Sequence, residues 1–354
     1  MPENITEPGA LKVVDPKLKG VLDRTVREFE LAAQKVAANH ADAATYPLPK
    51  KAGTLEQVLA QRFTALPKEQ QLKAGKQAVV KVKGGMDGVS FQTPTPIEEQ
   101  LAKRPFPAEL KLSKTQFLAA AQTAGVPAGG ASTASAAASA TAAAVAPLSK
   151  LELRIHRLKC NDETGPSLPI IGTPGSDEIK LGGTTIDENG SVGQVKPFKV
   201  GDFDSGDVKT YSPPKRFTWF NLKEGTAFPK GYFVTLVLAE EDQGGLPDFM
   251  NKLLDKVKSK VHDELKKAGI EALESGNVVT AILAFAADFV LDKVWDLIGR
   301  IWGDDVFPPQ TVRVRIPSLT ARWTGGKTDG PEHTVVFTGH NGKYTLTYDW
   351  RLFA

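Results

Sequence analysis

The sequence predicts an α+β chain in several parts: a helical, proline-rich N-terminal arm, an Ala-rich linker, and a C-terminal antiparallel β-sandwich carrying an inserted two-helix hairpin. Three observations predict it. Before residue 124 the apolar residues recur at spacings of three and four, which is the mark of amphipathic helices. After residue 149 they alternate with polar ones over short runs bounded by Gly, Pro, Asn and Asp, which is the mark of half-buried strands. Between the two, residues 124–149 are almost wholly Ala, Ser, Thr, Gly and Pro, and cannot bury enough apolar area to offset their ordering entropy. The divisions are therefore 1–123, a helical and partly extended arm; 124–149, a linker; and 150–354, the strand-rich part, with the helical insertion at 247–302. A chain of 354 residues that is 41% hydrophobic and 24% charged is long enough and apolar enough to build a substantial core.

In the arm, Leu18, Val21, Leu22, Val26, Phe29, Ala33 and Val36 share one helical face, with Asp15 as the N-cap and Pro16 at the first helical position. A second helix starts at Thr54, with Gln57 in capping-box spacing, and aligns Leu55, Val58, Leu59, Phe63 and Leu66. A short helix is expected near residues 113–125. The stretches between, "YPLPKK" and "TPTPIEEQLAKRPFPAEL", are studded with proline and read either as extended chain or as chain that folds only on a partner.

The strands expected after the linker are "LELRIHRLKC", "DEIKLGG", "KRFTWFNL", "GYFVTLVLAEED", "QTVRVRIPSL", "HTVVFTGHN" and "KYTLTYDWRLF". Val312, Val314 and Ile316 alternate with Arg313 and Arg315, as antiparallel strands with one wet face do. Seven or eight such strands suggest a β-sandwich. "IDENGS", with its Asn189–Gly190 pair, reads as a hairpin turn. Two helices interrupt the strands. Phe249, Leu253, Val257, Val261 and Leu265 fall four apart in the first, which is amphipathic. The second is far more apolar, but Asp288, Asp292, Asp296 and Arg300 recur every fourth residue, so one face is expected to meet water. A hairpin packed on the sheet and a hairpin that enters lipid both fit this pattern.

Composition narrows the chemistry. Residues 1–125 carry 18 Lys or Arg against 13 acids, an excess too dispersed for a nucleic-acid footprint, so no nucleic-acid partner is expected. The lone Cys160 rules out an intrachain disulfide or a thiolate zinc site. No secretory signal is read in "MPENITEPGALKVVDPKLKG"; synthesis in a cytoplasm is expected, with a non-classical route of release left open. Nucleophile-elbow, phosphate-loop and zinc-helix motifs are absent from the sequence, and its five histidines are scattered, so no enzymatic activity is expected.

Acids gather where strands end. Asp162 and Glu163, then Asp177 and Glu178, flank the first loop; Asp202, Asp204 and Asp207 occupy another; Glu240, Glu241 and Asp242 close "VTLVLAEED". Such carboxylates can serve as hard oxygen ligands for calcium, or as solvated turn caps. "LELRIHRLKCNDETG", "GSDEIKL" and "FVTLVLAEEDQGG" resemble the acidic loop elements of C2 domains, the calcium-dependent membrane-binding β-sandwiches, over 151–245 with some continuation at 310–354. The resemblance implies Ca2+ held by Asp162, Asp177, Glu240 and Asp242, reorienting loops toward a lipid surface or a protein partner. Glu178 and Ile179 stand where that family has Pro and Tyr. The aromatic residues that would touch a membrane or partner are Phe285, Phe289, Trp295, Trp302 and Trp323; buried packing is the competing reading for each.

The expected function is a non-enzymatic binding module, calcium-dependent by that resemblance, which docks on a membrane or protein assembly with the arm as its attachment segment. Two other classes fit the layout: an effector or toxin whose apolar hairpin enters membranes, and a structural or cargo component of a larger particle.

Overall fold

The computed structural model describes residues 4–7, 13–123, 146–164, 177–188, 191–225, 228–240, 246–270, 277–302, 307–339 and 342–354. Among them are seven α-helices and two four-stranded antiparallel sheets, an α+β architecture. Most of the expected linker and the Asn189–Gly190 turn lie outside the described residues.

The first sheet has the order β4 (Val208–Asn221), β1 (Lys150–Asp162), β8 (Gly342–Phe353), β7 (His333–Gly339). The second has the order β3 (Val192–Phe203), β2 (Asp177–Ile186), β5 (Lys230–Glu240), β6 (Gln310–Ile316). Leu151, Leu153, Leu346 and Trp350 of the first sheet and Leu181, Val234, Leu236 and Val314 of the second lie in one apolar core. Strand β3 is absent from the sequence reading because it lies at a sheet edge, where Lys196, Pro197 and Lys199 stay exposed and the apolar alternation fades.

The helices are α1 (Pro16–Ala41), α2 (Leu55–Phe63), α3 (Lys68–Val82), α4 (Ile97–Ala102), α5 (Lys114–Thr123), α6 (Leu246–Lys267) and α7 (Asn277–Trp302). Helix α1 begins as its sequence requires, with the Asp15 carboxylate accepting the Leu18 N–H at 2.8 Å. In α2 the Thr54 hydroxyl accepts the Gln57 N–H at 3.4 Å. The N-terminal helices share a second apolar core with the inserted pair: Leu22, Phe29 and Val36 of α1 and Phe63 of α2 pack with Val257 of α6 and Val294 and Trp302 of α7. The stripe of Phe249, Leu253, Val257, Val261 and Leu265 is wholly buried there.

That core also takes in Ile186, Val237 and Ala239, while Val234, Leu236 and Leu238 face the core between the sheets. Strand β5 is therefore buried on both faces, which is why "VTLVLA" runs apolar without alternating.

The proline-rich stretch 91–97 is pinned to this helical body. Buried Lys35 donates its ammonium to the carbonyls of Thr93 and Thr95 at 2.8 and 2.9 Å, and the Glu56 carboxylate accepts the Ile97 N–H at 2.8 Å. These bonds place a segment read as extended against α1 and α2, with its free backbone groups satisfied by buried charged side chains.

Helix α3 has no counterpart in the sequence reading, because the face it buries is small or polar: Gln71, Ala74, Gly75, Ala78 and Val82. Gly75 permits a close approach to α1, since a Cβ there would sit 3.1 Å from both the Ala37 carbonyl oxygen and the Ala41 Cβ.

The aspartate stripe of α7 is not uniformly wet. Asp288 is 2% exposed and pairs with Arg313 of β6, while Asp292 and Asp296 are exposed. The reason is tertiary: the first turn of the stripe lies over the second sheet, where an arginine on the strand face supplies its counter-charge. At the N-terminus, Ile5 inserts into the core between the sheets, its N–H bonds the Arg322 carbonyl at 3.1 Å, and the Thr6 carbonyl accepts the Arg315 N–H at 2.9 Å. Thr6 thus pairs with the outer edge of β6 at Arg315.

Candidate functional site

The strand ends gather the predicted acids at one end of the two sheets. Asp177 opens β2 opposite Phe203, and Glu240 closes β5 opposite Ile179, two residues along β2. Asp162 ends β1 opposite Lys343. Asp162 is exposed. The side chain of Glu240, and Glu241 and Asp242 altogether, lie outside the described residues.

Asp177 is the most engaged of the set. Its carboxylate accepts the Tyr344 hydroxyl at 2.5 Å, the Thr164 N–H at 2.7 Å and the Thr164 hydroxyl at 2.6 Å, so it ties the end of β1 to β8. Burial raises the pKa of Tyr344, and the Asp177 carboxylate beside it adds to the effect. The neighbouring Cys160 is buried and free, and burial pushes its thiol up as well, which keeps it protonated and inert.

The loop between β3 and β4 uses its acids as turn caps. Asp207 accepts the Asp204 N–H at 3.0 Å on its carboxylate, and its carbonyl accepts the Cys160 N–H at 2.9 Å. Asp202 and Glu178 both pair with Lys199, at 2.7 and 2.9 Å, on the exposed surface. Among the described residues no group of three His, Cys, Asp or Glu side chains comes together as a metal-ligating set.

The predicted aromatic contacts separate. Trp302 packs its ring 5.1 Å from Phe63 and donates its indole N–H to the Ala33 carbonyl. Trp295 is buried 6.3 Å from the Phe249 ring. Trp323 is buried in the core between the sheets, its backbone N–H bonded to the Lys327 carbonyl. Phe289 is partly buried against the helical core, with the Lys293 ammonium 5.8 Å from its ring centre. The side chain of Phe285 lies outside the described residues. In this fold the three tryptophans are occupied within the protein, because each lies between packed elements. The exposed indole is Trp219 on β4, 52% exposed.

The surface that sequence reading missed is the outer face of α3. Leu72 and Val80 are 55% and 78% exposed, and they align with Lys76 at helical spacings of four. Lys68, Lys73, Lys81 and Lys83 are also exposed, with Glu69 the one acid between residues 68 and 83. The density of lysine in "KEQQLKAGKQAVVKVK" was the available signal. No family model, no curated protein and no solved structure matches this chain.

Proposed function

We propose that the chain is a non-enzymatic binding module, a C2-like β-sandwich joined to a helical body, that docks on an anionic lipid surface through α3. The observation that carries this reading is the α3 face, where five lysines surround two exposed aliphatic side chains. Near an anionic leaflet each lysine contributes about 1 kcal/mol, and Leu72 and Val80 add apolar burial at the headgroup boundary. The opposite face of α3 stays packed on α1, so the helix lies along the surface while the fold remains intact. Among the described residues no helix is long and apolar enough to cross a membrane. The C2-like reading is supported by the two antiparallel sheets and by acidic strand ends collected on one side of them.

Co-sedimentation with vesicles tests the proposal. Binding is expected to phosphatidylcholine vesicles containing phosphatidylserine and not to phosphatidylcholine alone, to weaken with salt, and to be lost in an L72E/K76E variant. Equal binding to both vesicle types, or none to either, overturns it; in the second case an acidic protein becomes the partner that suits the face. Docking also predicts no dye release from loaded vesicles.

A further inference from the structure

The four sheet edges are treated differently. At β3 the edge carries Lys196, Pro197 and Lys199, and at β4 Lys209, Pro213 and Lys215, the charges and prolines that block edge-to-edge pairing. At β6 the edge pairs with Thr6 at Arg315. Strand β7, "HTVVFTG", has neither Lys nor Pro, is rich in β-branched residues, and has no backbone partner on its outer side among the described residues. Thr334, Val336 and Thr338 are exposed on one face, with Val336 at 41%, and Phe337 is buried on the other.

We propose that β7 joins two copies of this chain edge to edge, antiparallel about a two-fold axis at Val336. The sequence of the strand is self-complementary in that register. Thr334 faces Thr338 of the second copy, Val335 faces Phe337, and Val336 faces its own equivalent, so polar meets polar and apolar meets apolar on each face. A register two residues away in either direction shortens the ladder and sets Thr334 or Thr338 against Val336. The pairing extends the first sheet to one continuous sheet running through both copies, and it satisfies the open row of N–H and C=O groups without moving the fold. It brings no like charges into contact. This inference is independent of the lipid-docking proposal.

Sedimentation velocity on the full chain through a concentration series tests it. The wild type is expected to form a dimer as concentration rises, V336K and V336E to be monomeric each alone, and their equimolar mixture to regain the dimer because opposite charges then face each other at the two-fold. Because Val336 is exposed, both variants are expected to keep the wild-type circular dichroism spectrum. A wild type that is monomeric throughout overturns the proposal and leaves the edge to an extended peptide. A dimer that persists in V336K and in V336E places the interface elsewhere, and a mixture that stays monomeric excludes the two-fold at Val336.

Discussion

Trp302 of α7 donates its indole N–H to the carbonyl of Ala33 of α1 across 3.2 Å, and 269 residues separate the two in sequence. Arg24 of α1 reaches Glu264 of α6 at 2.8 Å, and Lys260 of α6 lies 2.7 Å from Glu98, so the inserted pair is bound to the N-terminal helices by polar as well as apolar contacts. The apolar character of α7 follows from this: its faces meet α1, α6 and the second sheet.

Removing the ring should expose that dependence. W302A is expected to lose about 3–5 kcal/mol, the cost of deleting a large buried aromatic. W302F, which keeps most of the packing against Phe63 and loses the hydrogen bond, should lose about 1 kcal/mol from the bond itself. Urea unfolding measures both, and a W302A variant as stable as wild type would refute the shared core.

Asp288 and Arg313 join α7 to β6 with both side chains buried, at 2% and 9% exposure. D288N leaves the guanidinium without its counter-charge and is expected to cost about 3–5 kcal/mol. A D288L/R313M double variant, which removes both charges, should recover most of that loss. A double-mutant cycle from thermal unfolding reads the coupling directly.

Glu7 sits between Tyr348, whose hydroxyl it accepts at 3.3 Å, and His333 at 3.2 Å. Burial, with Asp349 adding its negative charge, pushes the carboxyl up from 4.5 to about 7 against the lowering effect of the Tyr348 bond. The folded value lies above the ordinary one, so the group's contribution is complete below about pH 4.5 and falls away as pH rises through 7. The difference corresponds to about 3 kcal/mol. E7Q should equal wild type near pH 4.5 and exceed it near pH 8; stability curves of equal slope across that window would refute the assignment.

G75L places a side chain where a Cβ alone would stand 3.1 Å from α1, and is expected to cost about 1–3 kcal/mol by overpacking. G75A should be nearly neutral, because its helix-propensity gain of about 1 kcal/mol offsets the tight contact. Thermal unfolding of the pair decides whether α3 is held by close backbone approach.

Local chemistry in the sequence located α1, with Asp15 and Pro16 at its start, and α2, α6 and α7, because caps and apolar spacing act within a turn or two. It also located the strands that alternate, and the acids at their ends. The partners of those acids were not legible, since Asp177 bonds Thr164 and Tyr344, and Tyr344 lies 167 residues away. Helices α3 and α4 and strand β3 escaped notice, and the stretch holding α4 reads as extended, because their buried positions are small, polar or few, Ile97 alone in α4, so periodicity carries little signal there.

The sequence by itself determined the segments whose spacing is regular, namely α1, α2, α6, α7 and the alternating strands, and with them that the chain is α+β, since each follows from side-chain spacing along a few residues. Only the tertiary structure decided that the first helices and the inserted pair make one core, that β5 is buried on both sides, that Asp288 is paired while Asp292 and Asp296 are wet, that Leu72 and Val80 of α3 are exposed, and that the outer side of β7 has no backbone partner among the described residues. Those outcomes depend on which apolar stripes meet across hundreds of residues, and a stripe states that it must be covered without stating by what.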